Sequence, residues 1–158
     1  TEFLKEIYNK EKYPFAIARL FLTYGPGQGK DRFIPQIIDG CLKNKRFPTT
    51  SGEQIRDFCY IDDTVSAIFL ILTNKKTTGE VFNVASGIPI KVKTIINLIT
   101  QIIGAGKPEF NKRGLRYGEN EILYADAKKI KKILNWKPKI QLLKGLKKTI
   151  KSLKKNDN

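Results

Sequence analysis

The chain has no histidine and no methionine, two cysteines (Cys41 and Cys59) and a single tryptophan. Without histidine, Ser-His-Asp and Cys-His catalysis and two-His-carboxylate metal sites are excluded, and two thiols are too few soft ligands for a zinc or copper centre. Long hydrophobic runs are also missing. The longest, residues 68–72 and 15–22, the latter broken by Arg19, fall far short of the roughly 18 apolar residues a membrane span requires. Two cysteines and no apolar leader near the start fit a reducing cytoplasm, with the thiols as small buried hydrophobes and not a disulfide.

What is present has the balance of one ordinary globular domain: 158 residues, 41% hydrophobic and 28% charged. The net charge of +15 raises nucleic acid or an anionic membrane as a partner, because lysines near a polyanion release counterions. From Lys128 to Lys155, however, the lysines are spread along amphipathic segments with no interleaved stacking aromatics, which is the pattern of a solvated face. Nucleic acid is therefore not taken as the main partner. The chain opens on Thr1 and lacks methionine altogether, which reads as a piece of a longer protein.

Apolar residues Phe3, Leu4, Ile7 and Tyr8 mark the tail of an amphipathic helix that Pro14 ends. Residues 15–22 read as one strand covered on both faces, as in a parallel sheet. After the loop 23–30 comes a helix with Ile34, Ile37, Ile38 and Cys41 on one stripe and Pro35 in its first turn. A strand is expected over 56–61, then a helix capped by Asp62 or Asp63 with Val65, Ile68, Phe69 and Leu72 as its buried stripe. Residues 80–85 form the next strand, 86–89 a turn, and Val92, Ile95, Ile96, Ile99, Ile102 and Ile103 one side of a further helix. Residues 104–118 read as a polar, basic loop and 121–124 as an edge strand. Asp126 caps a short helix, Pro138 prevents its continuation, and Leu143, Leu146, Ile150 and Leu153 define a last helix before a frayed end at 155–158. The fold class is α/β, with no internal repeat and no linker long enough to divide it.

Three segments could carry chemistry. The glycine-rich loop 25–30 is one residue short of a nucleoside-triphosphate loop and has Asp31 where a magnesium-binding Ser or Thr belongs, so it reads as a tight turn at a strand end, where doubly wound sheets hold ligands. Residues 51–63 concentrate a guanidinium, a phenol and carboxylates (Arg56, Asp57, Tyr60, Asp62, Asp63). One reading is an ion pair plus helix caps; the other gives Arg56 to a phosphate, since its planar fork grips anionic oxygens bidentately. Residues 112–119 hold Arg113 and Arg116, two of only six arginines. They read either as a solvated loop or as a second arm of an anion clamp, with Glu119 able to accept hydrogen bonds from sugar hydroxyls.

The phrases Arg19-Leu-Phe-Leu-Thr-Tyr-Gly-Pro-Gly, Arg32-Phe-Ile-Pro, Gly52-Glu-Gln-Ile-Arg-Asp-Phe-Cys-Tyr-Ile-Asp-Asp, Val81-Phe-Asn-Val-Ala-Ser-Gly, Arg116-Tyr-Gly-Glu, Tyr124-Ala-Asp and Asn135-Trp-Lys-Pro follow one another in this order. Together they resemble the C-terminal half of the extended short-chain dehydrogenase/reductases, the NAD(P)-dependent nucleotide-sugar epimerases, dehydratases and 4-keto-reductases. The resemblance implies the last part of a Rossmann sheet joined to a small mixed α/β substrate domain, with the dinucleotide-binding half absent from this chain. It also implies a nucleotide-diphospho-sugar as substrate and NAD or NADP as cofactor, bound mainly by the missing half.

By that resemblance, Arg56 and Arg116 match the two arginines on the substrate diphosphate, and Glu119 the acid that meets the nucleotide ribose. Leu20 and Phe21 match the strand end whose backbone approaches the nicotinamide. Phe33 and Ile34 match the segment that closes over the nucleotide, with Tyr60 beside it. The family's catalytic tyrosine and lysine are expected upstream of Thr1; Tyr8 and Lys12 mimic their spacing but stand at the wrong end of the helix. A homodimer is expected of the full-length protein and turnover is not expected of this piece alone. At Leu22 the family usually has an asparagine on the substrate, so sugar orientation must differ here; residues 47–58 lean towards the 4-keto-reductases. Two other readings remain: a non-catalytic nucleotide-sugar-binding module, and a basic nucleic-acid-associated protein whose binding depends steeply on salt.

Overall fold

In the computed structural model, which describes residues 1–156, the expected alternation of strands and helices is present, but the strands divide among three small sheets. Helix α1 (Glu2–Glu11) stops at Lys12, whose φ of 56° is left-handed, and the chain passes Pro14 into β1 (Ala16–Leu20). β1 pairs in parallel with β5 (Glu80–Val84), Ala16 opposite Glu80 and Leu20 opposite Val84. The continuous strand expected over residues 15–22 is thus two strands. At Phe21, whose N–H donates to Val84 O, the chain leaves the first sheet. β2 (Leu22–Tyr24) then pairs in parallel with β4 (Ile55–Tyr60). An apolar run records burial but not which neighbour each residue bonds, so this change of partner leaves no trace in composition. Nor is β1 covered on both faces: Leu20 and Leu22 are exposed.

Helix α2 (Phe33–Leu42) buries Ile34, Pro35, Ile37, Ile38 and Cys41, the stripe its spacing predicts. Strands β3 (Arg46–Pro48) and β7 (Lys107–Glu109) pair in parallel. β4 pairs with β6 (Pro89–Lys91), antiparallel, and with β8 (Ile122–Leu123), parallel. β6 overlaps the expected turn and β7 stands in the expected basic loop, while β3 falls where the sequence gives no element; each is three residues long, too short for a hydrophobic period to show.

Helix α3 (Ile61–Thr73) departs most from expectation. Its buried residues are Asp63, Thr64, Ala67 and Ile71, whereas Val65, Phe69 and Leu72 of the expected stripe are 55%, 65% and 78% exposed. The larger apolar face is the outer one, because the helix packs against β1 and β4 through a narrow face that includes Thr64 and Ala67. Asp62 and Asp63 sit in the first turn and Tyr60 is the N-cap residue. Asp63 accepts the N–H groups of Lys139 and Ile140, both at 2.9 Å, and so fixes the segment after Pro138.

Helix α4 (Val92–Ile103) buries Ile95, Ile96 and Ile99 and ends on Gly104 at φ 75°. Helix α5 (Lys128–Leu134) begins one residue after Ala127, its N-cap, while Asp126 accepts the Lys128 N–H at 2.8 Å. Helix α6 (Leu142–Asn156) closes the described part; Asp157 and Asn158 of the expected frayed end lie outside it. Two cores result. One joins Tyr24, Phe58, α2, α4 and α6, and the other joins Phe82, Val84, Ala67, Ile130 and Trp136.

Candidate functional site

The seam where β1 gives way to β2 opens into a cleft of about 1180 Å³, lined from β1 and β2, the start of α2, β3, β4 and residues 113–119. Its composition is selective. Of 24 lysines and six arginines in the chain, the lining includes Arg32, Arg56, Arg113 and Arg116 and no lysine. Lysine is the default cation of this surface, and a cleft whose cations are arginines can grip anionic oxygens in the flat, bidentate way that an ammonium cannot.

Strand alternation separates the neighbours Arg56 and Asp57 onto opposite faces of β4. Asp57 is fully buried and accepts from Ser86 N (2.7 Å), Ser86 Oγ (2.6 Å), Gly87 N (2.8 Å) and Ala125 N (3.5 Å). The local Arg56–Asp57 ion pair considered from the sequence is therefore replaced by a longer-range one. Arg56, 8% exposed, donates from Nη1 to the carbonyls of Ile55 (2.9 Å) and Glu121 (3.2 Å) and from Nη2 to Glu119 Oε1 (2.8 Å). The other Glu119 oxygen accepts from Arg116 N at 3.4 Å. Glu119 thus links the two arginines, which lie 60 positions apart in sequence and are brought together by the β4–β8 pairing.

Leu20, Phe21, Phe33, Ile34, Arg56, Arg116 and Glu119 all line the cleft. Tyr60 does not. It is buried, edge-on to Tyr24 at 5.6 Å between ring centroids and beneath Lys148 Nζ at 5.4 Å, because β4 carries it past the cleft into the start of α3. Tyr8 and Lys12 lie at the far end of α1, with the Tyr8 ring against Phe15 and Gly79. Arg113, which the scarcity of arginine marks together with Arg116, also lines the cleft, as do Arg32 and Gln28, to which the sequence assigns no role; the same scarcity marks Arg32. No spacing marks Gln28, whose Nε2 donates to Thr23 O at 2.9 Å while Oε1 is buried without a donor among the described residues.

The cleft's own titratable groups suit binding better than proton transfer. Tyr24, whose hydroxyl donates to Leu142 O at 3.2 Å, is held well above the usual phenol range by burial, with Cys59, Tyr60 and Asp63 adding to the effect. Glu119 is engaged by Arg56, and Asp31 lies 3.8 Å from Arg32. Among the described residues no cluster of Cys, Asp or Glu could hold a metal ion. Nor, among the described residues, is any helix long and apolar enough to cross a membrane.

A mixed α/β unit with parallel strands and an arginine-lined cleft at a sheet seam matches the C-terminal portion of Rossmann-type epimerases and dehydratases. The model of the GDP-mannose 4,6-dehydratase family matches residues 1–149, and the chain belongs to that family of extended short-chain dehydrogenase/reductase nucleotide-sugar enzymes, which use NAD(P). It is 34% identical over 151 residues to CDP-abequose synthase from Salmonella typhimurium, covering 92% of this chain and 50% of the relative. It is 32% identical over 143 residues to UDP-glucuronate 4-epimerase from Thermodesulfobacterium geofontis, covering 89% and 43%.

Among solved structures, UDP-glucose 4-epimerase from Thermotoga maritima with UDP-glucose superposes with a TM-score of 0.91 at 26% identity, over 99% of this chain and 51% of that one. UDP-glucuronic acid 4-epimerase from Bacillus cereus, in complex with UDP-glucuronic acid and NAD, gives 0.86 at 31% identity, over 98% and 50%. The chain spans about half the length of the curated relatives it matches.

Proposed function

We propose that this chain is the substrate-holding part of an NAD(P)-dependent enzyme that transfers hydride at a carbon of a nucleotide-diphospho-sugar. The observation that carries this reading is the exclusive use of arginine in the cleft. A diphosphate presents two anionic groups at a fixed spacing, and Arg56 and Arg116, tied together through Glu119, offer two guanidinium groups to it. Arg56 is held in place by two carbonyls and needs little ordering on binding, while the exposed Arg116 side chain supplies the adaptable arm. Glu119 accepts from the ribose hydroxyls, and Phe33 and Ile34, at the start of α2, flank the nucleoside.

Leu20 and Phe21 fit the strand end whose backbone approaches a nicotinamide ring: they stand where β1 ends, and both line the cleft. NAD(P), when bound, supplies the hydride acceptor or donor. Leu22 neither donates nor accepts, so polar contacts to the sugar come from elsewhere around the cleft, Thr23 and Gln28 being the nearest uncharged polar residues in sequence.

On this reading the part played by this chain is to bind and orient the substrate. Titration calorimetry with UDP, CDP, dTDP and GDP, each beside its nucleoside, tests the reading. Nucleoside diphosphates are expected to bind and nucleosides not. Equal binding of both, or of neither, would overturn the clamp. Competition by nucleotide sugar also separates this reading from nucleic-acid binding, which no nucleotide sugar would displace.

A further inference from the structure

Helix α6 carries a second cationic surface that the cleft does not use. From residue 127 to 156 the sequence has 12 lysines and no arginine, aspartate or glutamate. At about 100° per residue, Lys144, Lys147, Lys148, Lys151, Lys154 and Lys155 fall within about 120° of one side of α6. All six are exposed. The opposite side, with Leu146 and Ile150, is buried against β4, α2 and α4. Among the described residues only Lys148 of the six meets a carboxylate, Asp62 at 3.6 Å. Where α6 lies beside the end of α4, a groove of about 420 Å³ is lined by Ile102 and Ile150 and by Lys147, Lys151, Lys154 and Lys155. It shares no residue with the cleft.

We infer that this face of α6 binds the surface of an anionic lipid bilayer. Four exposed ammonium groups on one side of the helix match the lipid interface: the charges meet headgroup phosphates while the lysine stems lie along the boundary with the acyl chains. Charge complementarity is one-signed, since no acidic side chain interrupts the arc to repel a negative surface. The same features disfavour nucleic acid. The chain's six arginines all lie at or before Arg116, so none offers a bidentate grip on phosphodiesters here. The only tryptophan is buried and α6 has no aromatic residue on which a base could stack. The inference is independent of the cleft and of any substrate assigned to it.

Sedimentation of the chain with vesicles tests it. Binding is expected to vesicles containing about one-third phosphatidylglycerol in phosphatidylcholine, not to phosphatidylcholine alone, and is expected to fall at least about tenfold between 0.1 and 0.5 M salt, as screening by salt requires. The variant K147E/K151E/K154E/K155E should lose binding, and K128E/K131E/K132E/K137E, an equal change of charge placed on α5 and the segment after it, should retain it, with circular dichroism confirming that both variants are folded. No binding to anionic vesicles would overturn the inference. So would equal loss in both variants, which would assign the attraction to net charge alone. A duplex DNA or RNA bound more tightly than the vesicles through the same four lysines would transfer the face to nucleic acid.

Discussion

At the scale of single residues, the exposed Arg116 of the cleft and the buried Asp57 of β4 have opposite duties. Arg116→Ala removes an exposed guanidinium from the cleft without touching the core, and is expected to weaken nucleoside-diphosphate binding by about 1.5–3 kcal/mol, the worth of a charge-assisted hydrogen bond. Titration calorimetry checks this, with the melting temperature unchanged. Asp57→Ala should do the reverse. It strands four donors on Ser86, Gly87 and Ala125, and we expect a loss of stability of at least about 3 kcal/mol in urea unfolding. Cys59 gives a pH dependence. Burial raises its thiol from the ordinary value of 9.0 to about 11, a Thr64 hydrogen bond opposing the rise and Asp63 and Asp57 adding to it. The unfolded thiol therefore ionises first, so stability is fully present below about pH 9 and declines as pH rises towards 11. Cys59→Ala should flatten that decline in thermal melts. In the folded protein at neutral pH both buried thiols should react slowly with iodoacetamide; rapid alkylation would contradict the buried environment.

At the scale of elements, α6 depends on a glycine. A Cβ at Gly145 would meet the Tyr24 hydroxyl, and the Tyr60 ring at 2.9 Å, so the helix approaches the ends of β2 and β4 more closely than any other residue permits. Gly145→Ala should gain about 1 kcal/mol of helix propensity and lose more to overpacking, about 1–3 kcal/mol. A net rise in melting temperature would show that the two rings can move aside. The sequence made legible those elements whose period is long enough to read. The stripes of α2 and α4 came out as expected, because ten or more residues with one wide apolar face leave little choice. Helix α3 did not: Val65, Phe69 and Leu72 outweigh Ala67 and Ile71 in hydrophobicity, and hydrophobicity alone cannot say that small residues were needed for close approach. The cleft was legible through phrases, not periodicity. Residue chemistry offers Arg56, Arg116 and Glu119 as anion and hydroxyl partners beside plainer ion-pair and solvated-loop readings, and the resemblance assigns them to one clamp, whereas Tyr60 lies outside the cleft because sequence proximity to Arg56 says nothing about where a strand ends and a helix begins.

At the scale of the whole molecule, the exposed stripe of α3, with Leu20 and Leu22 where the chain passes from β1 to β2, leaves large apolar side chains in solvent, the kind of surface through which chains associate. The chain alone is expected to associate with rising concentration in analytical ultracentrifugation, and F69E/L72E to reduce that association; a monodisperse wild-type chain would contradict this. The pairing scheme has a further consequence. Ala16 bonds across to Glu80, Leu22 to Phe58, Arg46 to Lys107, Ile55 to Ile122, and even the antiparallel contact joins Ile55 to Lys91. No two strands form a hairpin, so every ladder must close a loop of more than 30 residues before its first hydrogen bond is made. Such a topology has no small nucleus to start from and belongs among the slower folders, with refolding on the scale of milliseconds to seconds. The seam between β1 and β2 joins two sheets whose other strands arrive from separate parts of the chain. The arginine cleft therefore takes shape only after both sheets have formed, and nascent protein can have no affinity for an anion there until synthesis has passed β8.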